Sequence, residues 1–233
     1  MTKTIHNNKE IVEKNIPILC FDTCSLLDII RDPTRNDSSH TTGKFAKKLL
    51  NLSDEDKITF IIVEQVKIEL DNHIEKEHAA SKVCISGLIK RVRILSIICN
   101  TFEVNGDSNI EYMEKQPDKA KEVIENIRQM AYTPNVADSV VRIAHSRMSK
   151  SLAPSKLGKE SFGDCFIIES IFDLANDLRK RQFNKKIIFV TSNTSDFCHK
   201  GSKLHSDLES EFESNKIDFA INLEYAYKLA TTD

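Results

Sequence analysis

An apolar run that stops on an acid constrains this chain most: Ile16-Pro17-Ile18-Leu19-Cys20-Phe21, followed by Asp22-Thr23. A short run without polar positions reads as a strand buried on both faces, as in parallel sheets covered by helices. Such a strand delivers a carboxylate and a hydroxyl to its carboxyl end, where ligand sites in open α/β sheets gather. The pattern recurs. Phe60-Ile61-Ile62-Val63 runs into Glu64 and then Glu69, Phe162-Gly163 opens a helix on Asp164, and Ile187-Ile188-Phe189-Val190 runs into Thr191-Ser192-Asn193 and Asp196. Carboxylates far apart in sequence but all at element ends suit a hard cation, whose oxygen ligands converge from several segments.

Strands are expected at about 16–21, 58–63, 186–191 and 216–221. Helical periodicity fills much of the rest: 44–51, 64–78, 80–99 broken only by Gly87, 117–131, 135–149, 162–181, 202–214 and 222–230. Strands alternating with helices imply a parallel sheet covered on both faces. The stretch of about 80–157 reads as wholly helical and is expected to be an insertion or cap. Residues 1–15 read as a polar lead-in, and residues 1–233 as one domain.

With 33 basic against 35 acidic residues the net charge is −2, which argues against a chain that coats nucleic acid indiscriminately and leaves local patches to decide. Cys20, Cys24, Cys84, Cys99, Cys165 and Cys198 form no CxxC pair and several lie in apolar runs, as expected of reduced core thiols. Residues 1–14 have no signal-peptide character and no apolar stretch approaches a membrane span, so a cytoplasmic protein without membrane contact is expected.

Several chemistries are excluded. An aspartyl-phosphate mechanism of the HAD type needs a second Asp two residues after Asp22, where Cys24 stands. Gly158 to Asp164 has P-loop glycine spacing, but Asp164 replaces the phosphate-binding lysine. His73 and His78 are five apart and read as surface residues; neither a GxSxG elbow nor a GxGxxG after the first strand is present. Taken singly, the remaining motifs have ordinary explanations. Asp22 could cap a helix, Asp164 could favour a first turn, and residues 191–197 could form an Asx turn. Glu64 and Glu69 are both candidate ligands; Glu69 is preferred because it follows the helical pattern inward beside Val66 and Leu70.

Together, CFDTCSLLD (20–28), VEQVKIEL (63–70), SFGDCFIIES (161–170) and FVTSNTSDF (189–197) make the chain resemble the PIN-domain nucleases, the fold of VapC-like toxins and several RNA-processing endonucleases. The resemblance implies a three-layer α/β/α sandwich with a central parallel sheet and an acidic pocket for Mg²⁺ or Mn²⁺, with a metal-activated water attacking a phosphodiester of RNA. By position, Asp22 matches the first acid, Glu69 the second and Asp164 the third. Thr191 matches the hydroxyl after the strand, and Asp196 the acid before Phe. Where many members carry a fourth acid this chain has Asn193, which removes one negative charge and bears on a second metal. Asp22, Glu69, Asp164 and Asp196 are thus the implied catalytic and metal-binding residues, with Thr191, Ser192 and Asn193 orienting ligands or phosphate. A toxin or defence role would bring an antitoxin or other regulatory protein as partner, and a homodimer is left open. A binding module of the same fold with weak or lost catalysis is the alternative.

Residues 139–159 carry Arg142, Arg147, Lys150, Lys156 and Lys159 and no acid. Placed just before Asp164, they are expected either to form a solvated face or to contact the RNA backbone. Tyr132 and Phe162 flank the stretch and are candidates for stacking on an unpaired base or for the core.

Overall fold

Ile18–Phe21 and Ile187–Val190 are buried at every position and lie side by side, although nearly 170 residues separate them in the chain. They form the middle of the sheet in a computed structural model that describes residues 3–4, 8–35, 39–104, 106, 109–156 and 161–232. In chain order the elements are β1 (Lys3–Thr4), α1 (Lys9–Lys14), β2 (Ile18–Phe21), α2 (Thr23–Leu27), α3 (Thr42–Asp54), β3 (Thr59–Ile61) and α4 (Glu64–Thr101). A 3-10 turn at Glu111–Lys115 leads to α5 (Gln116–Met130), β4 (Tyr132–Thr133), α6 (Asp138–Ser149), α7 (Phe162–Lys180) and β5 (Ile187–Val190). The chain closes with α8 (Thr194–Phe197), β6 (Cys198–Lys200), β7 (Lys203–Leu204), α9 (Ser206–Asn215), β8 (Ile217–Ala220) and α10 (Leu223–Thr231).

Six strands form one parallel sheet in the order β1-β4-β3-β2-β5-β8. Helices cover it to give the expected three-layer sandwich. α10 lies on β2, β5 and β8 and packs against α3, while α7 packs against α4, α6 and α9. The apolar strand cores meet these helices in one continuous core that includes Leu19, Phe60, Ile168, Ile171 and Phe189. The chain runs outward from β2 through β3 to β4, then returns to place β5 on the other side of β2. The crevice between the carboxyl ends of β2 and β5 is therefore a topological switch point, the place where such sheets bind ligands.

Three expectations need correction. The stretch 80–157 is not wholly helical and does not stand outside the sheet, because β4 pairs with both β3 and β1. A two-residue strand has too short a period to show against its helical flanks. Residues 1–15 are more than a lead-in: β1 extends the sheet, and α1 buries Ile11 while Asn8 donates to Asp177 at 2.7 Å. Finally, the expected helices at 64–78 and 80–99 are one helix, α4, of 38 residues and about 57 Å. Gly87 lies inside it on an open face, where a helical glycine costs some stability but need not end the helix. The far half of α4 carries the exposed side chains of Ile94, Leu95 and Ile97, and exposed Phe102 follows its last residue.

Candidate functional site

The register of the two central strands builds the site. Phe21 pairs with Val190, so the next residues, Asp22 and Thr191, emerge together at the sheet edge. Asp22 keeps its backbone N–H on the Val190 carbonyl at 2.9 Å, and its carboxylate Oδ2 accepts the Thr191 hydroxyl at 2.6 Å. Both side chains are buried, Asp22 at 1 % exposure and Thr191 at 0 %. Asp22 also precedes α2, and the backbone N–H groups of Thr23 and Cys24 at the start of that helix favour its charged form.

Glu69 arrives from the second turn of α4. Its Oε2 accepts the Thr23 hydroxyl at 2.5 Å and its Oε1 accepts Gln65 Nε2 at 2.9 Å. Glu64, one turn earlier, is exposed and pairs with Lys67. Of the two candidates, Glu69 is the one brought to the sheet edge. The start of α7 closes on it: a Cβ at Gly163 would lie 2.6 Å from Glu69 Oε1 and 3.3 Å from Gln65 Nε2. A side chain here would displace the Glu69 carboxylate from this position. Asp164 follows in the first turn of α7, half-buried, and its charge and that of Asp22 both act on Cys24.

Burial pushes the Asp22 carboxyl up from its ordinary 3.8 to about 6; the charge of Glu69 adds to the rise and the Thr191 hydrogen bond opposes it. Burial, reinforced by the Asp22 charge, pushes the Cys24 thiol up to about 12, which leaves it a protonated thiol rather than a nucleophile.

Among the described residues no three His, Cys, Asp or Glu side chains stand close enough to share a metal ion. The acids are turned onto donors of the chain: Asp22 onto Thr191, Glu69 onto Thr23 and Gln65, Asp196 onto Asn193. The donor set still fits a hard divalent cation. It offers carboxylates and hydroxyls from three segments, and an Asp22 carboxylate whose ionisation is opposed by burial and by Glu69 is one that a cation would favour.

The loop after β5 continues the network. Asn193 N–H donates to the Thr191 hydroxyl at 3.0 Å, Asn193 Oδ1 accepts from Ser195, and Asn193 Nδ2 donates to Asp196 Oδ2 at 2.9 Å. Ser192 lies beside them, half-buried, its carbonyl accepting the Thr194 N–H. Lys156 reaches into this loop from the segment before α7 and pairs with Asp196.

The basic stretch does not act as one surface. Arg142 and Lys150 are exposed, on or just beyond α6. Arg147 is 4 % exposed and does not offer its guanidinium to RNA. It donates to Glu169 at 2.5 Å, to Glu211 at 2.5 Å and to the Ala153 carbonyl at 2.6 Å, tying α6, α7 and α9 together. Its position on the buried side of an amphipathic helix, in line with Val140 and Ala144, is the signal that separates it from Arg142. A cleft of about 380 Å³ beside α6, lined by Arg142, Arg147 and Lys150, contains none of the sheet-edge acids. Lys159 lies outside the described residues. Tyr132 is a buried strand residue that donates its hydroxyl to Glu10, not a stacking platform, while Phe162 stacks on Phe166 at 5.9 Å.

The sequence offers Thr23 as a hydroxyl beside Asp22 and Gly163 as a helix start, without their contacts to Glu69, and gives Gln65 no role. Gln65 was findable, since it stands four residues before Glu69 on one helix face. Gly163 was not, because close approach between α4 and α7 is a tertiary fact.

A family model for the PIN domain matches residues 19–197. The chain belongs to the PIN domain family. The matched span runs from β2, which presents Asp22, to the end of α8, which carries Asp196, and so covers every acid of the site. Neither the curated proteins nor the solved structures yielded a match. PIN domains are nuclease-type folds that generally use divalent metal ions, and in this PIN domain Asp22 stands at the switch point of the sheet. Among the described residues no helix is long and apolar enough to cross a membrane.

Proposed function

We propose that this PIN domain is a Mg²⁺- or Mn²⁺-dependent endoribonuclease. The observation that carries the reading is the buried Asp22–Thr191 pair at the switch point, with Glu69 and Asp164 presented to the same edge from α4 and α7. Asp22, Glu69 and Asp164 would hold the ion. Bound there, it would supply Lewis-acid relief of the charge developing on a phosphodiester and a water of lowered pKa. The remaining roles belong to the chain. Thr191 fixes the rotamer of Asp22, Thr23 and Gln65 hold the Glu69 carboxylate, and Gly163 leaves space for it. Ser192 and Asn193 would orient the scissile phosphate. Exposed Arg142 and Lys150 would neutralise backbone phosphates without reading bases. Used as a toxin or in defence, such an activity would have an antitoxin or other regulatory protein as partner.

A second reading, an RNA-binding module with lost catalysis, is favoured by Asn193 and by the engagement of Asp196 with Lys156. Incubation of the purified chain with end-labelled single-stranded RNA separates the two. Cleavage with Mg²⁺ or Mn²⁺ that stops in EDTA supports the nuclease. Retarded but intact RNA under both conditions supports the binding module.

A further inference from the structure

Asp196, the one acid between β5 and α9, is buried at 3 % exposure. Its Oδ2 accepts Asn193 Nδ2 at 2.9 Å, and its Oδ1 lies 3.1 Å from Lys156 Nζ. The same ammonium donates to the Ser195 carbonyl. Both carboxylate oxygens are therefore engaged by donors of the chain itself, one of them a full positive charge. A carboxylate this buried needs such compensation, because the protein interior does not solvate it.

An ammonium at hydrogen-bond distance and a divalent ion compete for the same oxygen. Lys156 is 45 % exposed, but the carboxylate it pairs with is buried, so a divalent ion on Asp196 would meet a charge already offset and would have to repel or displace the ammonium. We propose that Lys156 is the resident counter-cation of Asp196, that Asp196 is therefore not a metal ligand, and that the centre holds one divalent ion rather than two. This rests on the reading of Asp22, Glu69 and Asp164 as metal ligands. Asn193 fits the same arrangement. It adds no charge to the cluster, and its amide is spent on Asp196 and Ser195. Lys156 is then a positioning residue. It ties its own backbone, a few residues after α6, to the loop that carries Thr191 and Asn193.

The test counts Mn²⁺ on the full chain by equilibrium dialysis, with free Mn²⁺ read from its electron paramagnetic resonance signal. Wild type is expected to bind one ion. Asp196→Asn, which keeps shape and the Asn193 contact region, is expected to bind one ion with affinity within about threefold of wild type. Lys156→Met removes this ammonium from the carboxylate and is expected to show a second, weaker Mn²⁺ site. Thermal unfolding of each variant confirms that it is folded before the count is taken. Two ions on wild type, loss of the ion in Asp196→Asn, or an unchanged single site in Lys156→Met would each overturn the proposal. Absence of any Mn²⁺ on wild type, or one ion retained in both Asp22→Asn and Asp164→Asn, would instead strike the underlying three-acid reading and remove the proposal with it.

Discussion

The Thr191 hydroxyl donates to Asp22 Oδ2 at 2.6 Å across the junction of the two central strands, with both residues shut away from solvent. The contact follows from register, since Phe21 opposite Val190 leaves the next side chains to meet beyond the last ladder pair. It holds a carboxylate that the fold would otherwise prefer to protonate. The site is thus built around a charge that the unliganded protein tolerates at a cost.

That cost has a sign and a window. Burial raises the folded-state pKa of Asp22 from 3.8 to about 6, so between those values the folded chain binds more protons at this group than the unfolded chain does. Stability from Asp22 is therefore highest below pH 4 and is lost as pH rises to about 6, by roughly 3 kcal/mol if the full shift is realised. Denaturant unfolding in EDTA, compared for wild type and Asp22→Asn, isolates this group. The variant should gain stability over wild type as pH rises through the window, and Thr191→Val should extend the window upward. Parallel pH curves for wild type and Asp22→Asn would show that the carboxyl titrates normally.

Gly163 makes a sharper steric prediction. An alanine there would bring a methyl to 2.6 Å from Glu69 Oε1, and the flexible carboxylate rather than the helix would move. Gly163→Ala should leave the melting temperature unchanged or slightly raised, because alanine favours the helix. Mn²⁺ affinity should fall about 10- to 100-fold, the range typical when a metal ligand loses its support. A titration that shows wild-type affinity would remove Glu69 from the centre.

The cations of residues 139–159 should separate into two kinds. Arg147→Met leaves Glu169 buried without its partner and should cost about 3–5 kcal/mol of stability. Arg142→Ala and Lys150→Ala should stay within about 0.5 kcal/mol of wild type. If these two touch RNA, each should flatten the slope of log affinity against log salt by roughly 0.7. Filter binding across a salt series, beside thermal unfolding, reads both effects; a wild-type slope in the double variant would place the RNA elsewhere.

The parts of the fold that were legible in the chain are those with a strong local period. β2 and β5 announce themselves by unbroken apolar runs and α7 by its helical period, and the acids at their ends by the abrupt change of polarity. The rest depends on partners. Tyr132–Thr133 is a strand only because β3 and β1 lie on either side of it. Gly87 stays helical because α4 continues through it, with Ile85 and Ile89 buried on either side. Arg147 and Arg142 look alike as letters; spacing puts Arg147 in line with Val140 and Ala144, but its acidic partners on α7 and α9 come only with the packing. Within the site, the pairing of Asp196 with Lys156 joins residues 40 apart through a segment without periodicity, so no pattern in the chain could have named it.

The central claim is that Asp22 and Asp164 belong to one metal-dependent cleavage centre, and single-turnover RNA cleavage by folded Asp22→Asn and Asp164→Asn tests it most directly. Each swap keeps the side-chain shape and removes one charge, so circular dichroism spectra should match wild type. Mn²⁺-supported cleavage should fall by at least about 10³-fold in both, the scale of losing electrostatic stabilisation of a developing charge. Cleavage at the wild-type rate in both variants, or cleavage by wild type that persists undiminished in EDTA, would contradict the account.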